Sequence, residues 1–60
     1  MINSLEAQAL AKWIKQWTKT YSEEPTLEEC CTWFEWQFKD KNLSEKDIEF
    51  IKNILDLNSI

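Results

Sequence analysis

The chain has no glycine, no histidine, no arginine and no valine, and its single proline is Pro25. Each gap removes a class of structure or chemistry. Without glycine, a turn that needs positive φ must take it from a residue such as Asn or Asp, which tolerate the left-handed region. Without valine, β-branched content is confined to Ile and Thr, so extended strands have little support. Histidine is the side chain most used as general base and metal ligand, and both roles lose it here. All seven positive charges are lysines, so the planar guanidinium fork that reads phosphate or guanine is missing.

Long apolar runs are also absent. No stretch approaches the roughly 18 residues that a membrane-spanning helix requires. The N-terminal segment shows no basic stretch followed by an apolar one, so no secretory signal is expected and the chain reads as cytoplasmic. A net charge of −4 opposes general attraction to nucleic acid or to an anionic membrane.

What remains is short and aromatic. Sixty residues make one domain, 1–60, which buries only about 60% of the surface of its unfolded form. Small domains offset this with disulfides, metals, oligomerisation or heavy side chains. Here four Trp, three Phe and one Tyr supply the last of these, since each ring can bury about 150–250 Å². The only two cysteines, Cys30 and Cys31, are neighbours. Neighbours cannot staple distant segments, and two sulfurs without histidine make a poor zinc site. Both are expected to be reduced.

Three segments carry a 3.6-residue apolar period, which predicts an all-α three-helix bundle with helices near 4–20, 27–39 and 45–57. Asn3 with Glu6, Thr26 with Glu29, and Ser44 with Asp47 have the spacing of a capping box. Leu43 and Ile48 stand at the two positions of a hydrophobic staple. Pro25 breaks the chain before the second helix, and Asn42 is the expected left-handed residue before the third. The first helix shows a stripe of Ala7, Leu10, Trp13, Ile14, Trp17 and Tyr21, with Lys12, Lys15 and Lys19 opposite. The second shows Leu27, Cys31, Phe34 and Phe38 on one face. The third has a wide face of Ile48, Ile51, Ile54 and Leu55, flanked by Phe50 and Leu57. Leu10, Ile14, Trp17, Phe34, Phe38, Ile51 and Leu55 form the expected core.

No arrangement of catalytic residues is visible. A Ser–His or Cys–His pair is impossible without histidine, and paired carboxylates need a cleft to split their pKa values. Glu35 and Lys39 are spaced as an ordinary i,i+4 surface pair. Asp40, Asn42 and Ser44 match the first, third and fifth positions of a calcium loop. The sixth, which needs Gly, is Glu45, and the twelfth, which needs a bidentate Glu, is Ile51, so calcium is excluded. No enzyme activity, cofactor or metal is expected. The three lysines of the first helix read as a solvated face, and Glu45, Asp47 and Glu49 would repel DNA at the start of a recognition helix.

The candidate site is a partner-binding face. At about 100° per residue, Trp36 falls nearly opposite the apolar face of the second helix, and Trp33 falls on its flank. Glu29 and Asp40 stand beside them, and Glu23 and Glu24 add acid in the preceding connection. Exposed Trp is enriched at interface hot spots, and carboxylates around it suit a basic, partly apolar protein. The sequence therefore reads as a small acidic interaction module, a regulator or inhibitor of the kind a phage or mobile element encodes. Partner-binding residues are Trp33, Trp36, Glu29, Asp40, Glu23 and Glu24. Two other readings are an obligate homo-oligomer, in the simplest case a homodimer, and weak nucleic-acid binding through the lysine stripe.

Overall fold

The computed structural model describes residues 2–39 and 42–58. The chain forms three helices, α1 (Ser4–Tyr21), α2 (Leu27–Gln37) and α3 (Glu45–Asn58), packed as a small all-α bundle, with no strand among the described residues. At 1.5 Å per residue, α1 is about 27 Å long, which sets the long axis of a body measuring 30 × 20 × 18 Å.

Local chemistry starts each helix. Asn3 Oδ1 accepts the Glu6 N–H at 2.8 Å while the Asn3 N–H donates to Glu6 Oε1 at 2.9 Å. Thr26 and Glu29 repeat the exchange at 2.8 and 3.1 Å, as do Ser44 and Asp47 at 3.2 Å in both directions. Each box satisfies donors that the first helical turn leaves unpaired, and a cap of this kind is worth about 0.5–2 kcal/mol. The residue before each cap is apolar and turned inward. Ile2 and Pro25 are buried, and Leu43 packs on the core from a half-buried position. The box also explains why Glu6 is buried, since its carboxylate serves the helix start.

The helix ends agree less well with sequence expectation. The left-handed residue among the described ones is Ser22, at φ 58 and ψ 24, which closes α1 by donating its N–H to the Thr18 carbonyl. A serine thus fills a role expected of Asn or Asp. α2 stops at Gln37, two residues before the predicted end, because Phe38 leaves helical geometry at φ −120 and ψ 70. Asp40 and Lys41, in the next connection, lie outside the described residues.

The core consists of Ile2, Leu10, Ile14, Cys30, Phe34, Ile51, Ile54 and Leu55. Five of the seven expected core residues are in it. Phe38 is half-buried and packs against it, whereas Trp17 is half-buried and lies outside it. On α2 the buried thiol is that of Cys30, and Cys31 is only half-buried. The predicted face was therefore one residue, or about 100°, off at that turn. Tyr21, Ile48, Phe50 and Leu57 all stay exposed.

α3 packs closely against both other helices, while α1 and α2 approach each other least. Side-chain bulk accounts for the difference, since interaxial distance follows the size of the residues at the contact. Ala7 and Ala11 flank the core on α1, and Ala11 lies about 120° round the helix from Trp17. Where α1 turns toward α2, it presents Trp13, whose ring stacks on Trp33.

Candidate functional site: a tryptophan groove between the first two helices

The indoles that separate α1 from α2 also build a groove. Trp13 and Trp17 lie one turn apart on α1, with ring centroids 5.3 Å apart. Trp33 of α2 stacks on Trp13 at 5.1 Å and 14° between planes. Trp17 continues to Tyr21 at 4.6 Å, and Trp33 meets the edge of Phe38 at 6.2 Å, which contacts Phe34 at 4.7 Å. Six rings therefore run without interruption from exposed Tyr21 to fully buried Phe34. Such pairs contribute about 0.5–1.5 kcal/mol each beyond area burial, so the walls of the groove are firm.

Trp36 is different. It is 68% exposed, and among the described residues its ring stacks on no other. It stands at the edge of a cleft of about 430 Å³ whose other walls are Trp13, Trp17 and Trp33. All four tryptophans of the chain meet there. The polar lining is Thr26 and Thr32 with Glu28 and Glu29, and no lysine takes part. Glu29 is engaged at the helix start, where Oε1 accepts the Thr26 N–H. Glu28 is exposed and makes no hydrogen bond or ion pair among the described residues.

The structure brings together three of the six residues expected at a partner face, Trp33, Trp36 and Glu29. Trp33 is a half-buried wall that also supports the core, not a free ring. Glu23 and Glu24 are exposed in the connection and do not line the groove, and Asp40 lies outside the described residues. Trp13 and Trp17 were expected in the core stripe of α1, yet they form the opposite wall. Their i,i+4 spacing and their place at the edge of that stripe were the available signal. Which edge would face a gap depended on where α2 lies.

Cys30 and Cys31, between the groove residues Glu29 and Thr32 on α2, are free thiols, the first buried and the second half-buried. Burial pushes the Cys30 thiol up to about 12, with Cys31 and Glu29 adding to the effect. Burial, and then Glu35, also raises Cys31. A thiol held protonated in the folded state favours folding below its ordinary value of 9.0, and that contribution is lost between about pH 9 and 12. Near neutral pH both sulfurs are poor nucleophiles, because the thiolate is the reactive form. Iodoacetamide at pH 8 is expected to modify Cys31 slowly in the native protein and Cys30 only on unfolding. Peptide mass spectrometry showing equal native rates for the two would contradict this placement of α2.

Among the described residues no group of three His, Cys, Asp or Glu is placed to hold a metal ion, and no helix is long and apolar enough to cross a membrane. The groove offers ring faces, two threonine hydroxyls and carboxylates, which suits holding a group in place. No protein-family model matches the chain, and no curated protein or solved structure is measurably similar to it.

Proposed function

We propose that this chain is a small acidic helical module that docks on another protein through the tryptophan groove and acts as a regulator or inhibitor of that partner. The observation that carries this reading is Trp36, left 68% exposed beside an open cleft walled by three further indoles. A ring of that size in water forgoes burial worth about 25 cal/mol per Å². In a chain whose own core is small, a ring left outside is well placed to meet a partner. Trp at the centre of an apolar patch is also the residue type that most often dominates binding energy. The glycine-free composition, rich in Lys, Ile and Asn, suits a phage or mobile-element origin, and binding rather than catalysis is the activity proposed. The test is capture of the partner from the native host cell, in parallel with Trp36→Ala. The reading requires the variant to stay folded and lose the partner.

A second reading, the homo-oligomer, is favoured by a separate observation. Phe50 and Leu57 are both exposed two turns apart on α3, so two copies would have apolar surface to share. Sedimentation of the isolated protein separates the two. A dimer that Trp36→Ala dissociates makes the groove a self-interface, whereas a monomer leaves it for a foreign partner.

The lysine stripe supports a third reading poorly. Lys12, Lys15 and Lys19 are exposed, but three lysines in a field of net charge −4 give little counterion release. No gel shift of mixed-sequence DNA or RNA is expected at physiological salt. A shift that vanishes when the three lysines are replaced would reverse this ranking.

A further inference from the structure

We infer that the groove receives an arginine side chain from an apolar segment of the partner protein, its guanidinium lying on the indole faces and paired with Glu28. The inference rests on the docking reading above and names the chemistry that the groove selects.

Charge placement carries the argument. Between Lys19 and Lys39 the chain holds five carboxylates (Glu23, Glu24, Glu28, Glu29 and Glu35) and no positive side chain. The remaining sequence has six carboxylates against seven lysines. The segment that forms α2 and the connection leading into it therefore carries −5, and the rest of the chain carries +1. That segment supplies the acidic side of the cleft, and none of the lysines lines it.

Aromatic chemistry points the same way. Trp is the strongest cation–π partner among the side chains, and four of them converge here. Arginine fits better than lysine because its planar, weakly hydrated guanidinium stacks on rings and can pair with a carboxylate by two parallel bonds. Glu28 is available for that pairing, since nothing among the described residues occupies it. A cleft of about 430 Å³ is at the small end of the ~300–1,000 Å³ typical of ligand clefts. It accommodates side chains of a docked segment rather than the body of the segment. Leucines beside the arginine would cover the rest of the apolar lining.

The test uses the full chain, labelled with ¹⁵N so that its four indole N–H signals are resolved, and three short synthetic peptides. One alternates leucine with arginine, the second replaces arginine by citrulline, its neutral isostere, and the third replaces it by glutamate. The arginine peptide is expected to shift the Trp36, Trp33 and Trp13 signals saturably. Citrulline should weaken binding about tenfold, and glutamate should abolish it. Glu28→Gln, at an exposed position that folding does not need, should reduce the preference for arginine over citrulline several-fold and flatten its salt dependence.

Equal affinity for the arginine and citrulline peptides would overturn the inference while leaving a docking groove that reads only apolar surface. Binding that shifts none of the groove indoles, or no binding by any peptide, would also overturn it. None of these results bears on partner loss by Trp36→Ala, so the docking reading is judged separately.

Discussion

Phe34→Ala is expected to leave the chain largely unfolded at room temperature. Phe34 is fully buried at the end of the aromatic run, against Phe38 and within the cluster that joins all three helices. Truncating a buried Phe costs about 3–5 kcal/mol, the lost transfer energy plus the cavity left behind. At 0.05–0.15 kcal/mol per residue, a chain of this length has about 3–9 kcal/mol in total. The loss is therefore comparable with the whole stability. Ile51→Ala, at an equally buried position on α3, should cost about 2–5 kcal/mol by the same mechanism. Leu57→Ala, at a residue 84% exposed, should stay within about 0.5 kcal/mol. Thermal and urea unfolding followed by circular dichroism checks all three. Unchanged midpoints for both Phe34→Ala and Ile51→Ala would mean that the helices pack through other faces.

The two tryptophans of α2 should part company in the same assay. Trp36→Ala removes a ring that the protein covers little, so stability should change by no more than about 0.5 kcal/mol. Binding should fall by about 2 kcal/mol or more, roughly thirtyfold, if the ring is a hot spot. Trp33→Ala removes the stack on Trp13, the edge contact to Phe38 and part of the core covering. It should destabilise the fold by about 2 kcal/mol or more, and the groove should lose a wall. A monomer that unfolds on Trp36→Ala would place that ring in the core and remove the basis of the docking reading. A folded Trp36→Ala variant that binds its partner as well as the parent would remove it equally.

On the docking reading, charges outside the groove bear on association rate more than on affinity, since charges at the rim of an interface steer encounter. Glu23 and Glu24 stand in the same class. Both are exposed and away from the groove, so they add to the field around it without touching what it holds. Contacts at Glu28, inside the lining, should instead govern dissociation.

The helix starts were legible in the sequence because they are local. Asn3–Glu6, Thr26–Glu29 and Ser44–Asp47 each close within one turn, so the residue types and the i,i+3 spacing suffice to fix them. The apolar stripes likewise gave Leu10, Ile14, Phe34, Ile51 and Leu55 as core, because a helix turns by a known angle per residue. The same angle put Trp36 nearly opposite the apolar face of α2, and the packing of the three helices leaves it exposed. The tertiary structure alone decided the rest. Cys30 rather than Cys31 turned inward, since a stripe on one helix leaves its centre uncertain by a residue until neighbours press on both sides. Tyr21, Phe50 and Leu57 lie on apolar faces yet remain exposed, because three short helices cannot cover every flank. The groove itself could not be read from any one helix. It exists because α3 draws close to both neighbours while the stacked indoles of Trp13 and Trp33 hold α1 and α2 apart, and spacing between helices is set by the side chains of two elements meeting.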